Sequence, residues 1–186
     1  MARKTIKWIL IVLVIALFVV LALFGLRYYM YARYPLEYED LIRSYAIEYG
    51  LDPYFVASVI WAESGYDKDA VSRSGARGLM QIMPDTGTWI AGKFGDSAYT
   101  EDSLFTPEVS IRYGCWYLSY LTEKFEGNEI KILAGYNAGP GRVDEWQQSW
   151  GEGHLPTAED IPFEETKNYV TKIAKAKDIY KKLYTI

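Results

Sequence analysis

The sequence has one cysteine, Cys115, and one histidine, His154. A single thiol rules out an intramolecular disulfide framework. A lone histidine with one distant cysteine makes no metal set and leaves a His-containing catalytic triad without support. No metal site is expected. No stretch alternates apolar and polar side chains with the period of a strand, so a sheet is not expected either. Internal repeats and low-complexity segments are also missing. Cationic charge is scarce outside the N-terminus: residues 1–33 carry five Lys/Arg and no acid, whereas residues 34–186 carry 15 Lys/Arg against 24 Asp/Glu, a net charge of −9. Such a surface repels polyphosphate, which argues against nucleic acid as a partner. Cys115 lies in the aromatic run Tyr113-Gly114-Cys115-Trp116-Tyr117 and reads as a small buried residue.

The one long hydrophobic run is Trp8 to Leu26, 19 residues without a charged or strongly polar side chain. As a helix rising about 1.5 Å per residue it nearly crosses a hydrocarbon core roughly 30 Å thick. Arg3, Lys4 and Lys7 precede it, and Arg27 and Arg33 follow it. The cations in front favour a tail kept in the cytoplasm, with the rest of the chain exported. A cleaved signal peptide is the alternative, but its apolar stretch is typically ~7–15 residues ending at a small-x-small site. Here the run is longer and its end, Ala22-Leu23-Phe24-Gly25-Leu26, is a poor site. The buried helix of a soluble protein also fits badly, because the run is apolar on every face. The expected organisation is a cytoplasmic tail at 1–7, a single transmembrane anchor at 8–26, a stalk at 27–35 and an extracytoplasmic domain at 36–186.

That domain reads as all-α. The spacing predicts a helix from Leu36 to Tyr49, stopped by Gly50, and a second opened by Asp52 as cap and Pro53 at its first position. Residues 66–83, with Ser72, Ser74, Gly75 and Gly78, read as a looped excursion. Further helices are expected from Pro84 to about Phe94, from Pro107 to about Phe125 and from Asn128 to Asn137. A turn or two should carry Val143 and Trp146, and a last helix should run from Pro162 to Leu183. Ile111, Trp116, Leu118 and Leu121 are expected in the core.

Val56, Val59, Ile60 and Glu63 are spaced i, i+3, i+4, i+7 and so share one face of the second of these helices. A carboxylate on an apolar face, in the last turn where the helix dipole is negative, is pushed toward its protonated form by desolvation and dipole together. A carboxylic acid still protonated near neutral pH can protonate a glycosidic oxygen. The bland alternative is a terminal glutamate turned to solvent. Three glycine-bearing or aromatic segments give this residue a context: Arg77 to Pro84, Gly135 to Gly141, and Ile161 to Val170. Glycines let backbone approach a ligand, Tyr, Asn and Gln supply hydrogen bonds suited to a sugar, and the chain's 17 tyrosines and six tryptophans suit stacking on pyranose faces.

Glu63-Ser64, Gly78-Leu79-Met80-Gln81-Ile82-Met83-Pro84, Tyr136-Asn137-Ala138-Gly139, and Ile161-Pro162-Phe163 with Glu165-Thr166 and Tyr169-Val170 together resemble the lytic transglycosylases. These are soluble-type murein lyase domains related to goose-type lysozyme. Four blocks in the family's order span residues 36–184. The resemblance implies a compact lysozyme-like helical fold without metal or organic cofactor. It implies cleavage of the β-1,4 bond between N-acetylmuramic acid and N-acetylglucosamine in peptidoglycan, leaving a 1,6-anhydromuramoyl end. By resemblance Glu63 is the catalytic acid/base and Ser72 contacts the N-acetyl group near it. Gln81 and Met83 line the cleft, Tyr136 lies at the scissile bond with Asn137 beside it, and Glu165 belongs to the wall that meets the muropeptide. Gly135 departs from the family, where alanine is usual; this is harmless if only its backbone contacts substrate, but added flexibility there would loosen the site.

Retaining and inverting glycosidases usually pair two carboxylates. No second acid falls in a matching motif, although Asp67 and Asp69 are close in sequence. The family's solution, a single glutamate serving as acid and then base, is therefore expected. Two rival readings stay open: a goose-type hydrolase of the same bond, and a non-catalytic wall-binding module.

Overall fold

The computed structural model describes residues 2–151 and 153–186, with side chains from residue 6 onward. The side chains of Arg3 and Lys4, on which the orientation of the N-terminal tail leans, lie outside the described residues, as does Glu152 in the loop after Trp150. Residues 1–35 and 36–186 form two separate compact units.

The first unit is one helix, α1 (Ala2–Arg33), about 48 Å long at the usual rise. Its apolar side chains from Ile6 to Leu26 are exposed nearly all along it. The helix does not end with the hydrophobic run. It continues to Arg33, so most of the segment expected as a stalk is helical, held in part by Arg27 donating to the Tyr31 hydroxyl one turn on (2.9 Å).

In the second unit the prolines and caps set the helix starts. Helix α2 (Glu39–Glu48) begins three residues later than the spacing predicts, because Tyr38 is left-handed at φ 56° and cannot belong to it. In α3 (Pro53–Glu63) Asp52 accepts the Tyr54 amide at 2.9 Å and Pro53 occupies the first turn. Helix α4 (Pro84–Phe94) stops at left-handed Gly95. A 3-10 turn at Glu101–Phe105 precedes α5 (Pro107–Lys124). Asn128 caps α6 (Glu129–Ala138) by accepting the Lys131 amide. Pro140 then opens α7 (Pro140–Trp150), three turns where only one or two are expected. The last helix, α8 (Glu164–Leu183), starts two residues after Pro162 because Phe163 is extended.

The core lies around α3, which is buried all round from Phe55 to Trp61, not only on the face that carries Glu63. Its most extensive neighbour is α8, which also packs on α6. Ile111, Leu118 and Leu121 of α5 are fully buried with Cys115, while Trp116 is only half-buried.

Between α3 and α4 the chain makes the expected excursion, closed by isolated bridges between Val71 and Arg77 and between Arg77 and Ile82. The Arg77 guanidinium ties this loop to the 3-10 turn through Glu101 and Asp102, each at 2.8 Å. Gly78 is a position that only glycine can hold. Its φ is +73°, and a Cβ there would stand 1.9 Å from the Leu104 carbonyl oxygen.

Candidate active site

Glu63 closes α3, and its surroundings come from the loop, α6 and α8. Ser64 fixes the end of the helix: its hydroxyl donates to the Leu79 carbonyl (2.8 Å) and accepts the Tyr66 amide (3.1 Å). The helix end is thereby tied to the segment Gly78 to Met83, which forms the cleft floor. Met80 is held there on three sides. Its amide donates to the Ser110 hydroxyl, its carbonyl accepts the Tyr136 hydroxyl at 2.7 Å, and its sulfur fills the space where a side chain on Gly114 would be.

A pocket of about 230 Å³ opens over Glu63. Its walls are Ser72, Ser74, Ala76, Gln81, Met83, Tyr136, Asn137 and Glu165, so all seven residues singled out in the sequence meet in one place. Two further hollows continue it. One of about 260 Å³ shares Gln81, Met83, Tyr136 and Asn137 and adds Thr86 and Tyr117. The other, of about 480 Å³, shares Asn137 and Glu165 and adds Pro162 and Phe163. The three make a groove with Glu63 in its floor.

The polar groups differ in how far they are already engaged. Gln81, left-handed at φ 48°, spends its amide nitrogen on the Gly78 and Ala70 carbonyls, which leaves its oxygen side to the cleft. Ser72 accepts the Ala76 amide at 3.0 Å and can still donate its proton. The Asn137 oxygen accepts from the Thr166 hydroxyl at 2.7 Å. Asp67 and Asp69, the acids nearest Glu63 in sequence, face solvent; Asp67 caps the Asp69 amide and Asp69 pairs with Lys68. Among the described residues the second carboxylate of the pocket is Glu165, exposed in the first turn of α8.

The residue that sequence reasoning named only as part of the fourth motif, without a role, is Tyr169. Its buried hydroxyl donates to Glu63 Oε1 at 2.5 Å. A buried tyrosine hydroxyl needs a partner, and that requirement was the available signal. Lys172, one turn further along α8, donates to the Ala62 carbonyl at 2.9 Å and lies over the Trp61 ring. Burial pushes the Glu63 carboxyl up to about 7, against the opposing pull of the Tyr169 hydrogen bond and of the Lys172 charge. Burial likewise raises the phenols of Tyr169 and Tyr136, and the Glu63 charge adds to it. Both tyrosines therefore stay neutral donors.

Gly135, expected to loosen the site, has a packing reason. It lies inside α6, and a Cβ there would meet the Phe125 ring at 2.8 Å. The ring occupies the place of the missing methyl.

The transglycosylase SLT domain matches residues 40–154, more than half of the sequence. The chain belongs to that family. It is 37% identical over 145 residues to the soluble lytic murein transglycosylase of Escherichia coli K12, an alignment covering 76% of this chain and 22% of that one. It is 29% identical over 172 residues to a membrane-bound lytic murein transglycosylase C of Actinobacillus pleuropneumoniae serotype 5b, covering 77% and 46% respectively. Among solved structures, the 70 kDa soluble lytic transglycosylase of Escherichia coli superposes with a TM-score of 0.76 at 34% identity, over 82% of this chain and 25% of that one. This SLT-domain chain thus spans about a quarter of the length of the soluble relatives it matches. Its helical lysozyme-like fold is theirs.

Proposed function

We propose that this SLT-domain protein is a peptidoglycan lytic transglycosylase, cleaving the β-1,4 bond between N-acetylmuramic acid and N-acetylglucosamine and leaving a 1,6-anhydromuramoyl end. The observation that carries the reading is a carboxyl raised to about 7 in the floor of a groove, held by one hydroxyl donor.

In the first step protonated Glu63 gives its proton to the glycosidic oxygen as the bond from that oxygen to C1 breaks. The substrate's own N-acetyl group stabilises the positive charge at C1. Glu63, now a carboxylate, is stabilised by the Tyr169 hydroxyl and the nearby Lys172 ammonium. In the second step it takes the proton of the C6 hydroxyl while that oxygen bonds to C1, and the acid is restored without consuming water. A pKa near the working pH suits a group that must give and then accept a proton. Ser72, Gln81 and Asn137 supply hydrogen bonds to the sugar, Met83 and Tyr136 give it contact surface, and Glu165 meets the muropeptide side of the groove.

Residues 8–26 anchor the protein as a single membrane span, with the tail 1–7 in the cytoplasm and the SLT domain outside. This part of the reading is supported by the long apolar helix, the cations before it, and relatives named as membrane-bound.

Mass spectrometry of purified peptidoglycan digested by the full chain tests the chemistry. Anhydromuramoyl ends are expected; reducing ends would make the protein a hydrolase of the same bond. N-terminal sequencing of the membrane fraction tests the anchor, and a soluble mature protein beginning near residue 26 would reject it.

A further inference from the structure

Of all the phenylalanine, tyrosine and tryptophan side chains described in residues 36–186, two are exposed: Trp89, 39% accessible, and Phe163, 45%. One lines the groove, and the other lies on the helix that borders it. Phe163 lines its last hollow on the α8 side. Trp89 lies on α4 one turn beyond Thr86, which lines the hollow on the other side, so its backbone is about 4.5 Å further along the helix.

Trp89 is built in, not merely left on the surface. Its ring meets Trp116 and Tyr120 edge-on at 5.1 Å and Tyr117 at 6.3 Å. Tyr120 stacks on Trp116 at 5.9 Å and on Tyr117 at 6.1 Å. Tyr117 in turn packs on Tyr136 and lines the groove. An unbroken set of rings thus leads from the cleft to an exposed indole whose orientation is fixed by three neighbours. Lys93, one turn beyond on α4, holds its ammonium 5.8 Å from the Trp89 ring centroid. In a unit with a net charge of −9 this places a cation at the end of the path.

From this continuity we infer that Trp89 is an outer subsite on which a further sugar of the glycan strand stacks after leaving the groove, with Lys93 beside it for the acidic groups of the peptide stems. The inference rests on the glycan reading of the groove. A preordered indole offers a flat apolar face without the entropy loss of fixing it on binding. Short oligosaccharides that fill only the groove do not reach it, whereas long ones do.

The test uses the full chain in detergent as Glu63→Gln, so that nothing is turned over, and titrates it with N-acetylglucosamine trisaccharide and heptasaccharide by calorimetry. Trp89→Leu keeps an apolar side chain against Tyr120 and Trp116 but removes the flat ring. It should weaken the heptasaccharide about tenfold, the upper end of what one aromatic contact contributes, and leave the trisaccharide unchanged. Trp89→Phe, which keeps a ring, should hold to within about threefold of the parent for both. Equal affinities of parent and Trp89→Leu for the long sugar, or equal losses for both lengths, would overturn the subsite. A failure of the glycan reading looks different: the Glu63→Gln parent would then bind neither oligosaccharide, and the subsite would fall with it.

Discussion

Tyr169 and Glu63 are 106 residues apart in the chain and 2.5 Å apart in the fold, with the phenol donating to the carboxyl. Because a donated hydrogen bond favours the charged carboxylate, Tyr169 opposes the burial that favours the acid. The balance lies at about 7, where neither protonation state is costly to reach. A groove able to hold an acid and then its conjugate base needs this kind of compromise.

Glu63→Gln removes the proton and the base together while keeping the shape. Release of muropeptides should fall by at least ~10³-fold, toward or past the upper end of general acid–base contributions. Far-ultraviolet circular dichroism should be unchanged. A near-normal rate would reject the site.

Tyr169→Phe and Lys172→Met each remove something that holds the Glu63 pKa down. In both variants the pKa rises above its present value of about 7. Activity that needs protonated Glu63 is lost as pH rises through that pKa, so the alkaline limb of kcat/KM should move to higher pH. The two differ in salt dependence. Lys172 acts by charge from an exposed position, so its effect should shrink at ~1 M salt, where the screening length is ~3 Å. The Tyr169 effect should persist.

The raised pKa also sets a slope of stability with pH. Folded Glu63 holds its proton up to about 7, whereas the unfolded chain releases it near 4.5. Between those values the native state binds the more protons, so stability is full below 4.5 and falls as pH rises to 7. The loss is roughly 3 kcal/mol at most. Thermal melts of Glu63→Gln should lack this fall and exceed the parent at pH 8. Parallel melting curves for the two proteins from pH 4 to pH 8 would contradict the burial of the carboxyl.

Glu165, not Asp67 or Asp69, is the acid to test for a two-carboxylate mechanism, since among the described acids it alone shares the Glu63 pocket. If it contacts substrate without chemistry, Glu165→Gln should raise KM several-fold and leave kcat within about threefold. Asp67→Asn and Asp69→Asn should match the parent. A Glu165→Gln enzyme as inactive as Glu63→Gln would point to paired carboxylates and a hydrolase.

Gly135→Ala tests the packing account of this chain's departure from the family. On an open helix the change stabilises by about 1 kcal/mol. Here the Phe125 ring must move, and overpacking of that kind costs ~1–3 kcal/mol. Tm should fall in the parent and rise when the same change is made in a Phe125→Leu background. A rise in both would show that the ring yields freely.

Local signals were legible in the sequence wherever proline and a cap coincide, as at Asp52-Pro53, and four short motifs pointed to residues that do meet around one pocket. Three things escaped. The i, i+3, i+4, i+7 spacing placed Glu63 on one apolar face, but α3 is enclosed on every side, which only tertiary packing decides. Tyr169 stood in a motif without a role, because its partner is over a hundred residues away. Gly135 read as slack, since nothing local shows that Phe125 fills the space.

The position of α8 has a consequence for how the protein comes into being. Glu63, Gln81 and Tyr136 are all synthesised well before Tyr169 and Lys172, which arrive only with the last helix. A nascent chain that ends before α8 carries the acid without the hydroxyl that steadies its charged form, and with the side of α3 that α8 covers still open to water. The Glu63 carboxyl is therefore tuned last. A ribosome-stalled or truncated chain stopping near residue 163 has the first three motifs of the groove but neither Glu165 nor the electrostatics of the finished domain.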